Sequence, residues 1–340
     1  MTSLPVIMAS NSQLTGATIP SIAVFVGATS GIGRATLTQL VHKGFPMKAY
    51  IVGRNERDFQ PVLSELRASN KAADLIFLEG QVSLMAETKR LTDEILRRET
   101  HIDLLFLSSG FLPFLGRQET SEGLELSTAV GYYSRQIFIR RLLPLLQAAS
   151  KSDDSQSPPR IVNVLGTGVE TANLYLDDLE LKQPGHFSVQ SYAAHSATMT
   201  SLVLKRLAEQ PENKKVVFIH HHPGLVSTDI FKKSWGDQWD EGKAKMGPNA
   251  SADISRATTE EAGARSIYVI TSSKYGGKGV SLSEGQTQGM TVKGTADGSL
   301  FCVGDKLETL RLDGLLDTLE RNGASDVVRN KTNELIGKFL

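Results

Sequence analysis

From about residue 22 the chain alternates short apolar runs with windows of helical periodicity. Apolar runs bounded by turn residues predict buried strands, and a spacing of three to four residues between apolar positions predicts helices. Because strands that are apolar throughout must be covered on both faces, the pattern predicts an α/β fold with a doubly wound parallel sheet. The runs that predict strands are SIAVFVGA, MKAYIVGR, DLIFLEGQV, IDLLFLSSG, RIVNVLG and KVVFIHHHPG.

The same pattern divides the chain into a single domain with additions at its ends. Residues 1–20 precede the first strand and predict an N-terminal extension, and residues 21–340 form the domain. Within it, residues 230–256 are irregular, polar and hold both tryptophans, and we interpret them as a lid because they follow the end of a parallel strand, where such folds bind ligands. Residues 271–340 predict a C-terminal extension of glycine-rich loops or a hairpin, closed by a helix over 326–340.

Charge limits the classes of binding partner, and the cysteine content indicates the cellular compartment. Lys plus Arg and Asp plus Glu number 37 each, so no net charge attracts nucleic acid or an anionic membrane. Cys302 is the only cysteine, which excludes an intramolecular disulfide and predicts a reducing compartment, the cytoplasm by default. No apolar run reaches the roughly 18 to 20 residues of a membrane-spanning helix, and the N-terminus lacks the pattern of a signal peptide.

A glycine-rich segment, VFVGATSGIGRAT, follows the first predicted strand and opens the first predicted helix of the domain. In that context Gly27 permits a tight turn, Gly31 lets the backbone approach a phosphate, and Gly33 allows close packing of helix on strand. The free N–H groups of the helix N-terminus suit a diphosphate. Backbone or hydroxyl contacts are expected from three further residues of the loop: Thr29, Ser30 and Ile32.

The glycine spacing G-x-x-x-G-x-G resembles that of the short-chain dehydrogenase/reductase family, and the resemblance extends over most of the chain. SSG at 108–110 stands where the family often has Asn-Ala-Gly, and RIVNV and HPGLVSTDI are similar to family segments. The stretches YYSRQIFIRRLLPLL and FIHHHPGLVST look most like fungal reductases of natural-product pathways. The resemblance implies a Rossmann-type fold, and dimers or tetramers are common in the family.

A cofactor preference follows from the end of the second strand, which reads VGRN. An acidic residue there would accept the ribose hydroxyls of NAD, whereas Arg54 can pair with the 2′-phosphate of NADP(H). The sequence therefore predicts NADP(H). The resemblance adds further cofactor contacts: Asn55 beside Arg54, Gln81 and Val82 toward the adenine, Ser109 and Gly110 after the fourth strand, and Pro223, Gly224 and Thr228 toward the nicotinamide.

Four side chains that the family uses for carbonyl reduction are replaced. Aligned by motif, Gly131 stands for the Asn, Gly166 for the Ser, Ser191 for the Tyr and His195 for the Lys. Hydride delivery to a carbonyl leaves an alkoxide that must be protonated, so the departures affect the proton-handling groups. A one-residue bulge would instead bring Tyr192 into the Tyr site.

Neighbouring residues predict a replacement for the missing acid. Tyr192 and His195 are three apart on one helix, and an imidazole with a pKa of about 6.5 would donate a proton at neutral pH. Thr167, directly after Gly166, can hydrogen-bond a carbonyl, and Arg135 is close enough in sequence to reach the cleft. The candidate catalytic residues are therefore His195, Tyr192, Thr167 and Ser191, and His195 is also a candidate to bind the cofactor ribose.

The run His220-His221-His222 raises the question of a metal site. Adjacent residues of a strand point to opposite faces, so neighbouring histidines cannot readily share one ion. We predict no metal there and expect His222, next to Pro223, to line the cofactor site.

Two functional classes remain open at this stage. The first is an NADPH-dependent reductase of a small hydrophobic carbonyl, imine or alkene, an intermediate of fungal secondary metabolism, with a non-standard proton donor. The second is a repurposed fold, either catalysing a cyclisation, isomerisation or dehydration without net redox or binding NADP(H) without catalysis.

Overall fold

The computed structural model describes residues 2–151, 156–246 and 257–340. A single domain is built on seven parallel strands in the order β3-β2-β1-β4-β5-β6-β7, which confirms the doubly wound, Rossmann-type sheet. The strands are β1 (Ile22–Val26), β2 (Met47–Gly53), β3 (Ala73–Glu79), β4 (Leu104–Leu107), β5 (Arg160–Val164), β6 (Val217–His221) and β7 (Leu300–Val303).

Helices cover both faces of this sheet. Two separate hydrophobic clusters result, one on each face, because successive residues of a strand point to opposite sides. Val24 and Val26 pack into one cluster, while Ala23 and Phe25 pack into the other. The helices are α1 (Leu4–Ser12), α2 (Gly31–Val41), α3 (Glu56–Ser69), α4 (Met85–Arg98), α5 (Leu126–Thr128), α6 (Ser134–Ala149), α7 (Val189–Ala208), α8 (Ile230–Trp235), α9 (Trp239–Met246), α10 (Thr259–Thr271), α11 (Asp313–Arg321) and α12 (Ala324–Ile336).

The strand order reverses between β1 and β4, and this reversal positions the candidate site. Val26 at the end of β1 lies beside Leu107 at the end of β4. The loops that follow these strands leave in opposite directions, so a crevice opens at the carboxyl edge of the sheet. The glycine-rich segment and SSG at 108–110 border that crevice.

The long helix predicted before β5 is interrupted. A π-helical segment, Ala129–Tyr133, joins α5 to α6 and contains Gly131. Single π-helical turns within α-helices occur frequently at functional sites. The irregularity lies directly opposite α7, which carries Ser191 and His195.

Residues 2–20 pack against the rest of the domain. They contain α1, whose Asn11 side chain donates a hydrogen bond to the Ala264 carbonyl in α10, 2.9 Å away. Ile7, Leu14 and Ile19 are buried in the cluster formed with α2 and α10. The chain start therefore covers one face of the sheet.

Later parts of the chain are more regular than the sequence pattern predicts. The strand β7 and helix α11 follow the glycine-rich segment, in a part of the chain for which the sequence pattern predicts no regular element. Leu300–Val303 is fully buried beside β6. The expected lid is helical over α8 and α9, while its last residues, 247–256, lie outside the described residues. No helix in the described ranges is long and apolar enough to cross a membrane.

Candidate functional site

The glycine-rich loop brings two strand ends into contact. Gly27 has φ +95°, and a Cβ built on it would lie 2.4 Å from the Ser109 nitrogen. A Cβ on Gly33 would lie 2.4 Å from the Ser108 hydroxyl, so α2 also packs directly on the β4 loop. Only glycine permits either approach.

The amino end of α2 is left open for an anion. Ser30 is the N-cap residue, but its side chain makes no capping hydrogen bond, and the first turn has no acidic residue. Free N–H groups and the positive end of the helix dipole therefore face the crevice. Gly31 has φ +56° and lies against the Thr228 side chain, while Thr29 packs on Gly53. Ile32 is half-buried at the base of the loop.

The residues expected around the adenosine end lie at the carboxyl ends of β2 and β3. Arg54 is exposed directly after β2, and no carboxylate of the described residues pairs with its guanidinium. Asn55 caps α3 by accepting a hydrogen bond from the Asp58 amide at 3.1 Å, so its side chain is already engaged. Gln81 donates to the Ser83 hydroxyl at 2.9 Å, and Val82 is half-buried.

The nicotinamide end of the predicted site lies between the β4 and β6 loops. Gly110 is exposed and close to Ile230 of α8. Gly224, next to Pro223, has φ +77° and packs against Asp305. Together with the phosphate loop and Arg54, these residues lie at the carboxyl edge of the sheet, where the strand order reverses. They offer hydrogen-bond donors and small residues. Their chemistry fits a dinucleotide, with diphosphate at the α2 N-terminus and a 2′-phosphate at Arg54.

A buried cation supports the floor of the crevice. Arg135 of α6 is 1% exposed and donates to the Leu107 carbonyl, the Ser109 carbonyl and the Asn163 side chain. Burial lowers the pKa of its guanidinium to about 10, and no carboxylate in the described ranges pairs with it. Arg135 therefore binds the strand ends of β4 and β5 rather than reaching the open cleft.

Tyr192 is placed differently from the expected proton donor. Its hydroxyl donates to the Ser127 carbonyl of α5 at 3.1 Å, and burial raises the pKa of the phenol. A Cβ on Gly131 would lie 2.5 Å from this hydroxyl, so the phenol fills the space that a side chain at 131 would occupy. Ser191, half-buried, hydrogen-bonds Ser188 at the start of α7.

His195 contacts the loop between β5 and α7 rather than Tyr192. Its Nε2 accepts a hydrogen bond from the Tyr175 amide at 3.4 Å, and its Nδ1 is buried with no partner among the described atoms. Burial lowers the pKa of His195 to about 4, with the nearby Asp178 carboxylate opposing that shift. The imidazolium donor expected from an ordinary histidine pKa is therefore a minor species at neutral pH. His195 is a neutral hydrogen-bonding group here.

Thr167 belongs to a buried polar cluster behind the cleft. Its hydroxyl donates to the Glu170 carboxylate at 2.7 Å, as does the Ser201 hydroxyl. The Ser201 hydroxyl also lies 2.9 Å from Nδ1 of His220. The potential metal-ligand atoms of Glu170, His220 and Cys302 all lie within 4.8 Å of one another. Because hydroxyl and backbone donors already satisfy the carboxylate, these contacts account for the cluster without an ion.

The predicted lid lies against the crevice through aromatic packing. Phe114, in the loop after β4, stacks on Trp235 at 5.3 Å and on Phe231 at 5.5 Å between ring centroids. Ser234 accepts a hydrogen bond from the Leu112 amide at 3.0 Å. The helix α8 is therefore held over the crevice, with apolar rings beside it.

Two features of the site were not found by sequence reasoning. Lys233 of α8 donates to the Ser30 hydroxyl at 2.7 Å, and His186 stacks on Tyr175 at 3.8 Å while bonding Asp178. Nothing in the local pattern distinguishes Lys233 from its neighbour Lys232, since the contact depends on how α8 folds back. Thr228 lies against Gly31 of the glycine-rich loop, whereas Tyr192 and His195 contact different elements.

Comparisons with known proteins agree with this architecture. Residues 21–167 match the family model of short chain dehydrogenases. The chain is 31% identical over 336 residues to the NmrA-like family domain-containing oxidoreductase notO of an Aspergillus species, covering 96% of this chain and 93% of that protein. It is 41% identical over 236 residues to oxidoreductase AN1596 of Emericella nidulans, covering 69% and 67%, and 35% identical over 293 residues to oxidoreductase andH of Emericella variicolor, covering 84% and 82%.

Solved structures share the fold at low sequence identity. An NADPH-bound carbonyl reductase from chicken fatty liver superposes with a TM-score of 0.55 at 17% identity, over 85% of this chain and 98% of that one. The Pseudomonas aeruginosa RhlG/NADP active-site complex gives a TM-score of 0.52 at 18% identity, over 84% and 94%. The glycine loop, the strand order and these relatives together show that the chain belongs to the short-chain dehydrogenase/reductase family of oxidoreductases.

Proposed function

We propose that the protein is an NADPH-dependent reductase that acts on a small hydrophobic carbonyl, imine or alkene intermediate of fungal secondary metabolism. The observation that carries the proposal is the uncapped N-terminus of α2 together with an exposed Arg54 after β2 that pairs with no carboxylate of the described residues. The N-terminus of α2 suits a diphosphate, and Arg54 suits a 2′-phosphate. The NADPH-bound carbonyl reductase that shares the fold supports the same cofactor, and the fungal oxidoreductases support the biological setting.

Bound NADPH would supply a hydride, and the protein side chains would position the acceptor and manage the proton. Because Nε2 of the neutral His195 accepts from the Tyr175 amide, its ring proton lies on Nδ1. Nδ1 has no partner among the described residues and is suited to donate a hydrogen bond to the cofactor ribose. Ser191, half-buried at the start of the same helix, offers a hydroxyl, while Tyr192 is engaged at Ser127. An acceptor that arrives already protonated, such as an iminium ion, needs no acid from the protein. The replaced catalytic positions therefore favour substrates of that kind over simple ketones.

The surroundings of the crevice favour an apolar substrate. Phe114, Phe231 and Trp235 form a stacked group on the lid side. Apolar and aromatic surfaces with a few polar groups are the usual lining of small-molecule sites. No nucleic-acid or membrane partner is part of the proposal, and we place the protein in the cytoplasm as a dimer or tetramer, on the resemblance and on its single, buried cysteine.

A second candidate function is supported by a different observation. The groups nearest to the family's Tyr and Lys positions are a satisfied phenol and a histidine that is neutral at neutral pH. That arrangement also suits a repurposed fold, either one that catalyses a cyclisation, isomerisation or dehydration without net redox or one that binds NADP(H) without catalysis.

The absorbance of reduced nicotinamide during turnover separates the candidates. We expect NADPH to be consumed in step with the conversion of a cyclic imine or an α,β-unsaturated carbonyl compound from a substrate panel. A control with Gly31→Trp, which fills the phosphate loop, should lose that consumption. Product formation with unchanged NADPH would contradict the reductase and favour the non-redox fold, and tight NADPH binding with no conversion would favour the binding protein.

A further inference from the structure

A lysine from the lid lies in the phosphate loop. The Lys233 ammonium donates to the Ser30 hydroxyl at 2.7 Å, and Ser30 is the N-cap residue of α2. Both side chains are at the surface of the crevice. Among the described residues, no carboxylate pairs with Lys233.

Electrostatics make this position unfavourable for a lysine alone. The N-terminus of a helix carries the positive end of its dipole, where cations are destabilising and anions are stabilising. The first turn of α2 has no acidic residue to offset the charge, and Arg34 adds a second cation near it. An anion bound between the N–H groups of α2 and the Lys233 ammonium would be attracted to both groups and would offset this repulsion.

Other contacts hold the lysine there. The Thr228 methyl lies against Gly31, 3.2 Å from the place of its missing Cβ. Six residues after Thr228, the Ser234 hydroxyl accepts from the Leu112 amide, and the next residue, Trp235, stacks on Phe114. These contacts lie before and after Lys233 in the sequence. The packing of α8 therefore positions the Lys233 ammonium at the phosphate loop.

We infer that Lys233 is a ligand of the dinucleotide diphosphate, carried on the lid, and that it links closure of α8 to occupation of the phosphate loop. The inference rests on the proposed NADP(H) binding. When the diphosphate is bound, the ammonium donates to a phosphate oxygen in place of the Ser30 hydroxyl. Arg54, at the other end of the site, would recognise the 2′-phosphate, so the two cations act on different parts of the cofactor.

The chain offers a matched control and a local reporter. Lys232 is an exposed lysine on the same helix, so Lys232→Gln changes the net charge equally without touching the loop. The only two tryptophans, Trp235 and Trp239, both lie in the lid, so intrinsic tryptophan fluorescence reports this segment alone.

The test is a calorimetric titration of NADPH and of adenosine 2′-monophosphate, which keeps the 2′-phosphate and carries no phosphate at the 5′ position. Lys233→Gln should weaken NADPH binding about ten- to hundredfold, the loss typical of a charge-assisted hydrogen bond, and leave binding of the monophosphate within about threefold. Lys233→Arg should retain most of the affinity, and Lys232→Gln should stay within about twofold. In the wild type, NADPH should protect the tryptophans from acrylamide quenching, and in Lys233→Gln that protection should be lost even at saturation.

Three outcomes would overturn the inference. The first is an equal NADPH affinity of Lys233→Gln and the wild type. The second is an equal loss in Lys233→Gln and Lys232→Gln, and the third is an equal loss of affinity for NADPH and for adenosine 2′-monophosphate in Lys233→Gln. Wild-type protein that does not bind NADPH would instead overturn the proposed function, and the inference with it.

Discussion

At the scale of single residues, Gly131 and Tyr192 share one space. The phenol hydroxyl lies where a side chain at 131 would project, and it is held by the Ser127 carbonyl. The family's Asn and the present Tyr192 rotamer are therefore mutually exclusive. The sequence shows a glycine at the Asn position and a tyrosine one place after the Tyr position. It does not show that the two are coupled, because the coupling depends on how α7 is rotated against the π-helical turn.

This coupling predicts a double-mutant result. Gly131→Ala should destabilise the protein by about 1–3 kcal/mol, because the added methyl meets a buried hydroxyl. In a Tyr192→Phe background that penalty should disappear, since Ala is otherwise a better helix former than Gly by about 1 kcal/mol. Urea unfolding of the four proteins gives the coupling free energy. Additive effects would show that the two positions do not share the space.

Arg54 supplies a second prediction at this scale. Arg54→Ala should weaken NADPH binding about ten- to hundredfold and leave NADH binding unchanged, because only NADPH has the 2′-phosphate. Arg57→Ala, which removes another exposed cation nearby, serves as the control. Titration of each variant with both cofactors tests the assignment, and an equal loss of NADPH and NADH affinity would argue against it.

At the scale of elements, the apolar strands and the phosphate loop could be predicted because burial on both faces leaves continuous apolar runs. The strand β7, Leu300–Val303, was missed because it has only four residues and follows a long glycine-rich segment. So short an apolar run does not stand out from the surrounding loop. The helix α1 was missed for another reason: its apolar residues follow no helical stripe, so its position depends on packing against α10.

The lid helix α8 carries the prediction at this scale. Phe114→Ala removes the ring on which Trp235 and Phe231 stack, an interaction of about 0.5–1.5 kcal/mol for each aromatic pair. We expect the lid to open more often and acrylamide to quench the tryptophans more strongly. Phe45→Ala, which removes a partly buried ring packed against the hydrophobic cluster of α1 and α2, is the control and should leave quenching as in the wild type. Unchanged quenching in Phe114→Ala would mean that other contacts hold α8.

At the scale of the whole molecule, three buried histidines link stability to pH. Burial lowers the pKa values of His195, His220 and His221 to about 4. The unfolded chain binds protons at these residues below a pKa of about 6.5, whereas the folded protein does not until near pH 4. The unfolded state therefore holds more protons in that window, and the free energy of unfolding falls as the pH is lowered through it.

We expect urea unfolding to show this loss between about pH 6.5 and pH 5, where carboxylates contribute little. His221→Gln should reduce the slope by about one proton, while His42→Gln, at an exposed position, should leave it unchanged. A free energy of unfolding that stays flat to about pH 5 would contradict the burial of these imidazoles.

We propose that the site keeps its cofactor side while its proton-handling side is rebuilt. The glycine loop, the open α2 N-terminus and Arg54 are all on the side that is kept. The most direct test is a titration of the wild-type protein with NADPH and NADH under one set of conditions. We expect saturable binding at one site, with NADPH bound at least about tenfold more tightly than NADH. A protein that does not bind NADPH, or that prefers NADH, would contradict the proposed cofactor.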